Sequence, residues 1–122
     1  PDLEDYYSCP VAGRLTQGLH GRNSVDLGAP IDTPVMASAD GSVTVSKSSG
    51  WNGGYGIFVV ISHSNGTQTL YAHMKKTNIS VGDIVKKGDI IGNVGITGMT
   101  TGPHLHFEVR GARNPFSSKK CI

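Results

Sequence analysis

Apolar and polar residues alternate along most of this chain. The segments GSVTVSK (41–47), YGIFVVISH (55–63), TQTLYAHM (67–74), DIIGNVG (89–95) and HLHFEVR (104–110) are rich in β-branched and aromatic residues. Each is bounded by Gly, Asn, Asp or Ser, so the period of two predicts strands separated by tight turns. Ser64-Asn65-Gly66, between the second and third segments, is a hairpin signal. No stretch carries the 3.6-residue period of an amphipathic helix. The predicted class is all-β: an antiparallel β-sandwich or open barrel with little or no helix.

Composition sharpens this picture. Glycine accounts for 17 of 122 residues, as expected of a fold with many turns. The length suits one domain, residues 1–122, and no linker, repeat or low-complexity block interrupts it. Residues 1–8 read as a polar N-terminal extension held by Cys9. Eleven Lys and Arg stand against nine Asp and Glu, a net charge of +2 with no long basic run. That excludes an electrostatic footprint for nucleic acid. The pI near 8.7 suits weak association with an anionic surface such as a bacterial wall. Nothing approaches the roughly 18 apolar residues of a membrane helix. No signal-peptide pattern is present, which reads as a mature form or an excised domain. The two cysteines, Cys9 and Cys121, stand near the chain's two ends. Paired, they tie both termini down, and a loop of about 100 residues is worth roughly 4.7 kcal/mol on a chain-entropy estimate. Such a disulfide implies an oxidising compartment; unpaired, the two are separate buried thiols.

Five histidines carry the candidate chemistry: 20, 63, 73, 104 and 106. Residues two apart share a strand face, so His104 and His106 present two imidazoles together while Leu105 turns to the core. Alone, such a pair is also the mark of two half-buried surface histidines. His20 lies in a Gly-rich loop ahead of Val25-Asp26-Leu27, and Asp26 offers an oxygen ligand. Two histidines, a carboxylate and an open position match a catalytic zinc site, where a bound water becomes a nucleophile near neutral pH. His73 ends the strand Thr69-Leu70-Tyr71-Ala72-His73. Strict alternation puts Tyr71 on its face with Ala72 opposite. Beside a metal, His73 is a proton-transfer or transition-state group, and Tyr71 either assists it or packs in the strand. His63, at a strand end before a turn, reads as structural or solvent-facing.

Three blocks in this order resemble the lysostaphin-like zinc metallopeptidases that cut peptidoglycan peptides. They are His20…VDLGAPIDTPVMASADGSV, YGIFVVISHSNGTQTLYAHM and VGDIVKKGDIIGNVGITGMTTGPHLHFEVR, spanning about residues 18–116. The resemblance implies one Zn²⁺ per chain, held by His20, Asp26 and His106, with His73 and His104 as catalytic histidines. A zinc-bound water then attacks a peptide carbonyl, with His104 favoured as general base and His73 as oxyanion stabiliser. The implied substrate is a peptidoglycan peptide, cut at D,D-cross-links or glycine bridges. The D,D-bond is favoured because nothing here resembles a dedicated wall-targeting domain. The implied setting is extracellular, periplasmic or cell-wall associated, with the chain acting as a monomer.

The family's usual HxxxD spacing is stretched by two residues here, His20-GRNSV-Asp26. Arg22 occupies the usual histidine position and cannot ligate zinc, which leaves Asn23 as the fallback to His20. A groove with zinc at its floor is expected between loops Arg22–Val25, Ser48–Gly54 and Ile96–Gly102. Trp51 is either a substrate-facing aromatic or a packed anchor, and Thr100, Thr101 and Gly102 shape the turn before His104. A catalytically inactive wall-binding or hydrolase-regulating module of the same fold is the alternative. A biotinyl or lipoyl carrier, hinted at by VGDIVKKGDIIGNVG, fails because Pro34-Val35-Met36-Ala37 offers no hairpin-tip lysine.

Overall fold

The computed structural model describes residues 6–20, 23–117 and 120–121, with the backbone alone at Leu19 and His20. Among the described residues, nine strands run β1 (Arg14–His20), β2 (Ser24–Gly28), β3 (Pro34–Met36), β4 (Gly41–Lys47), β5 (Ile57–Ser62), β6 (Gln68–Thr77), β7 (Ile84–Val85), β8 (Ile90–Val94) and β9 (His104–Arg110). The five segments with the clearest alternation became β4, β5, β6, β8 and β9. Every pairing among them is antiparallel, and the helical elements that lie wholly within the described residues are short 3₁₀ turns at Asn52–Gly54 and Pro115–Ser117. The expected class therefore holds. No helix among the described residues is long and apolar enough to cross a membrane.

The sheet order is β1-β2-β9-β6-β5-β4-β7, with β8 and then β3 branching from β6. The branch arises because β6 changes partner midway: residues 68–72 pair with β9, and Met74–Thr77 pair with β8. At the change lies His73, a non-glycine residue at φ 64°. The main core results, in which Val25, Leu27, Val35, Ile61, Ile91, Leu105 and Phe107 from five strands are all buried. Each fully buried side chain of this size contributes about 1.5–3 kcal/mol.

The N-terminal segment departs from expectation. Tyr7 is fully buried, its hydroxyl 2.6 Å from Thr67 Oγ1, and Ser8 exchanges hydrogen bonds with Ser38. Tyr7 is thus part of the core, with Tyr6 partly buried against it. Cys9 and Cys121 form a disulfide with Cα atoms 5.5 Å apart, and Gly13 N–H donates to Cys121 O beside it.

His63 is structural, as its position implied. Its Nδ1–H donates to Asp40 O (2.7 Å), so Nε2 accepts from Thr69 Oγ1 (2.8 Å). Thr69 in turn meets the Tyr71 hydroxyl (2.8 Å), which accepts from Ser38 N–H. One set of proton positions satisfies this buried row with His63 neutral, in keeping with the rule that buried polar groups are hydrogen-bonded. Burial lowers the His63 pKa, opposed by Asp40. A histidine held below its unfolded value of about 6.5 supports the fold fully above that pH and loses that support as pH falls through its folded value. The melting-temperature gap between wild type and His63→Gln should therefore shrink between about pH 7.5 and about pH 5. A gap that stays constant contradicts this account of His63.

Candidate active site

β9 builds the site by simple alternation. Leu105, Phe107 and Val109 are buried in the core, while His104, His106 and Glu108 share the opposite face. Register then supplies neighbours. His106 lies between Asp26 of β2 and Ala72 of β6, because both strands pair with β9 at that point. An open groove of about 380 Å³ runs over these residues, lined by Gln17, Asp26, Tyr55, His73, His104 and His106, with Gly53, Gly54, Met99, Thr100 and Thr101 as walls.

His106 Nδ1 is 3.1 Å from Asp26 Oδ1, and His104 Nε2 is 3.6 Å from the same oxygen. On its other edge, His106 Nε2–H donates to Glu108 Oε2 (2.9 Å). Burial opposes charge on His106, but hydrogen bonds to Asp26 and Glu108 outweigh it and push its pKa up to about 9. Burial likewise disfavours the Glu108 anion, yet His106 and Tyr55 hold its carboxyl below the usual range. The His73 ring lies 5.1 Å from that of His104 and 5.8 Å from that of His106. Burial lowers the His73 pKa, countered by its bond to Thr97 O.

Tyr71 requires a correction. It does not share the groove face with His73: it is fully buried opposite Phe107, 5.3 Å between ring centroids, with its pKa raised to about 12 by burial. The cause is the irregularity at His73. Between Val59↔Tyr71 and Ile57↔Met74 the pairing of β5 with β6 shifts register, and the positive φ of His73 breaks alternation. Ala72 then stands opposite His106, and the His73 ring still reaches the groove. The phenol that lines the groove is Tyr55, whose hydroxyl donates to Glu108 Oε2.

Two of the three expected loops form walls. Gly54, Gly56 and Gly98 bring the loops over 48–54 and 96–102 into backbone contact: a Cβ on Gly98 would stand 2.4 Å from Gly54 O and 2.5 Å from Gly56 N. Gly98 also sits at φ 77°, so only glycine permits this approach. The third loop contributes no wall among its described residues, since Ser24 and Val25 are buried in β2 and Arg22 lies outside the described residues. Trp51 is 58% exposed beside the wall, which excludes a packed anchor. Thr100 does shape the turn, donating to Gly102 O, and its Oγ1 stands 3.1 Å from His104 Nδ1.

The fallback ligand Asn23 is committed elsewhere. Its side-chain amide donates to Val109 O and Ala112 O and accepts from Asn114 N–H, tying the β1–β2 turn to the C-terminal segment. The backbone of His20 pairs with Ser24 at the end of that hairpin, and its side chain lies outside the described residues. Among the described residues no group of three His, Cys, Asp or Glu side chains is arranged to hold a metal ion. Asp26 and His106 still fit one. Two ligands about 2.1 Å from a tetrahedral zinc lie about 3.4 Å apart, and nitrogen with carboxylate oxygen is a donor set that zinc takes; the observed separation is 3.1 Å.

Sequence reasoning missed Glu108 and Tyr55. Counting two further along β9 from His106 finds the first; no periodicity signals the second.

Comparison with known proteins agrees with this geometry. The profile of peptidase family M23 matches residues 20–118. The chain is 46% identical over 106 residues to the DD-carboxypeptidase/endopeptidase Mpg of Neisseria meningitidis serogroup B, covering 84% of this chain and 24% of that protein. Among solved structures, a zinc-containing peptidase from Vibrio cholerae superposes with a TM-score of 0.76 at 35% identity, over 86% of this chain and 36% of that one. The catalytic domain of lysostaphin from Staphylococcus simulans superposes with a TM-score of 0.68 at 32% identity, over 97% and 91%. The chain spans about a quarter of the length of curated relatives such as Mpg. With the family profile covering β9, every histidine singled out above and every groove residue but Gln17, the chain belongs to peptidase family M23, the lysostaphin-like metallopeptidases.

Proposed function

We propose that this chain is the catalytic domain of a zinc-dependent endopeptidase that hydrolyses peptide bonds in bacterial peptidoglycan, at D,D-cross-links. The observation that carries the reading is the meeting of Asp26, His73, His104 and His106 in one open groove. Relatives named DD-carboxypeptidase/endopeptidase and peptidoglycan DD-endopeptidase support the substrate class. Zinc is assigned to His20, Asp26 and His106, one ion per chain. Work on peptidoglycan, together with the Cys9–Cys121 bridge, favours a location outside the cytoplasm. An inert module of the same fold has no need to keep all four groove residues, which favours the enzyme.

Bound zinc would lower the pKa of a water toward 7 and polarise the substrate carbonyl. The chain's own residues supply the rest. His104 Nδ1 lies 2.9 Å from Gly102 O and His73 Nδ1 lies 2.7 Å from Thr97 O. A carbonyl only accepts, so both Nδ1 atoms carry the proton and both Nε2 atoms are proton acceptors. His104 Nε2, on the Asp26 side, takes the proton of the attacking water and passes it to the leaving amine. His73, the more buried of the two, is assigned to the oxyanion: its Nε2 donates there only in the imidazolium form, which takes its proton from solvent through the open groove before the attack. The groove is open, which suits a polymeric substrate. Removing either histidine should cut turnover by about 10²–10⁴-fold. His104→Ala and His73→Ala should nonetheless keep one zinc, by metal analysis; turnover within twofold of wild type in either variant removes that residue from the mechanism.

The function itself is tested by digesting a defined cross-linked muropeptide dimer with the zinc-loaded chain and sequencing the products by mass spectrometry. Monomers with new termini at the D,D-bond are expected. Cleavage confined to glycine bridges overturns the bond assignment, and no cleavage of either overturns the substrate.

A further inference from the structure

Glu108 is a carboxylate with no solvent exposure, on the groove face of β9 opposite Leu70 and Ser24. Its surroundings are partly apolar: Val60, Leu70 and Ala72 form a small buried cluster, with Tyr55 and Phe58 packed against it. A charge in such a place persists only if its lone pairs are occupied. Here four donors occupy them. Oε2 accepts from His106 Nε2–H (2.9 Å) and from the Tyr55 hydroxyl. Oε1 accepts from Arg110 Nε (3.2 Å) and Nη2 (3.1 Å). Arginine has no acceptor to offer, so Glu108 is bound as the anion from that side.

The arrangement leaves His106 no choice of tautomer. With its Nε2 donating to Glu108, the neutral imidazole carries its lone pair on Nδ1, the atom 3.1 Å from Asp26. Tyr55 adds a second link, because its carbonyl accepts from His73 N–H (2.9 Å) at the irregularity in β6. The same residue therefore braces Glu108 with its side chain and His73 with its backbone.

We propose that Glu108, steadied by Tyr55 and Arg110, is a positioning residue that fixes His106 with Nδ1 turned toward Asp26, and so sets how tightly this site holds a divalent metal. This rests on the assignment of His106 as a ligand. Outer carboxylates that orient a ligating imidazole typically change metal affinity by 10–100-fold when removed. A merely structural carboxylate behaves differently: replacing it by an apolar residue of like size alters melting temperature and leaves metal affinity alone.

The test measures zinc affinity by competition with a chromophoric chelator, and the cobalt(II) absorption spectrum, for wild type, Glu108→Gln, Glu108→Leu and Tyr55→Phe. Melting temperatures are recorded for the metal-free forms. Zinc affinity should fall about 100-fold in Glu108→Leu and about 10-fold in Glu108→Gln, whose amide oxygen still accepts from His106. Tyr55→Phe should shift the cobalt spectrum with a smaller loss. If Glu108→Leu does not fold, Glu108→Gln and Tyr55→Phe decide the matter. Wild type that takes up no zinc overturns the assignment of His106. Wild type that binds tightly, with folded Glu108 variants of equal affinity and spectrum, overturns the role of Glu108 alone.

Discussion

Replacing His106 by alanine should leave a folded chain that no longer holds zinc and no longer cuts its substrate. The side chain removed contacts both halves of the site: Asp26 at 3.1 Å on one edge and Glu108 at 2.9 Å on the other. Its loss should exceed the 10–100-fold fall in metal affinity typical of outer partners, because on the proposed assignment a ligand itself is gone. Glu108 keeps Arg110 and Tyr55, so the buried anion is not orphaned and the sheet survives. Asp26→Asn is the companion variant, since it preserves shape while removing the charge that faces both histidines. Equilibrium dialysis against zinc, with far-ultraviolet circular dichroism as the folding control, reads the outcome. One zinc per chain retained by both variants would remove Asp26 and His106 from the metal site.

The second large effect concerns the ends of the chain. Cys9 and Cys121 are 112 residues apart and their bridge closes nearly the whole domain. Tyr7, Val11 and Phe116, which flank the cysteines in sequence, are fully buried, so the bridge fastens segments that already belong to the core. A closed loop of this length restricts the unfolded chain by about 4.7 kcal/mol on the entropy estimate. For a domain of this size that corresponds to a fall of roughly 10–20 °C in melting temperature. The double variant Cys9→Ser/Cys121→Ser, melted by calorimetry without reductant, should show it. A fall of less than about 3 °C would mean that packing of the terminal segments alone fastens them.

Much of this fold is legible because β9 and its neighbours alternate cleanly. HLHFEVR separates Leu105, Phe107 and Val109 from His104, His106 and Glu108 by parity alone, and the antiparallel class follows from five such segments. What alternation cannot foresee is where it stops. His73 takes a positive φ without being glycine, and that one residue sends Tyr71 to the core while keeping the histidine in the groove. Tyr55 enters the site through a loop held by backbone contacts to Gly98, 43 residues further along, a tertiary feature without a local pattern. β3 and β7, of three and two residues, are too short to display a period. Tyr7 reads as part of a polar extension because its burial depends on Thr67, sixty residues away.

The central claim is that a single zinc at Asp26 and His106 is required for peptide hydrolysis in this groove. The most direct measurement strips the protein of metal and returns zinc in fractions of an equivalent, following hydrolysis of a cross-linked muropeptide at each step. Activity absent from the stripped chain, rising linearly and levelling at one equivalent, is the predicted result. Full hydrolysis by the stripped chain in the presence of chelator would contradict it.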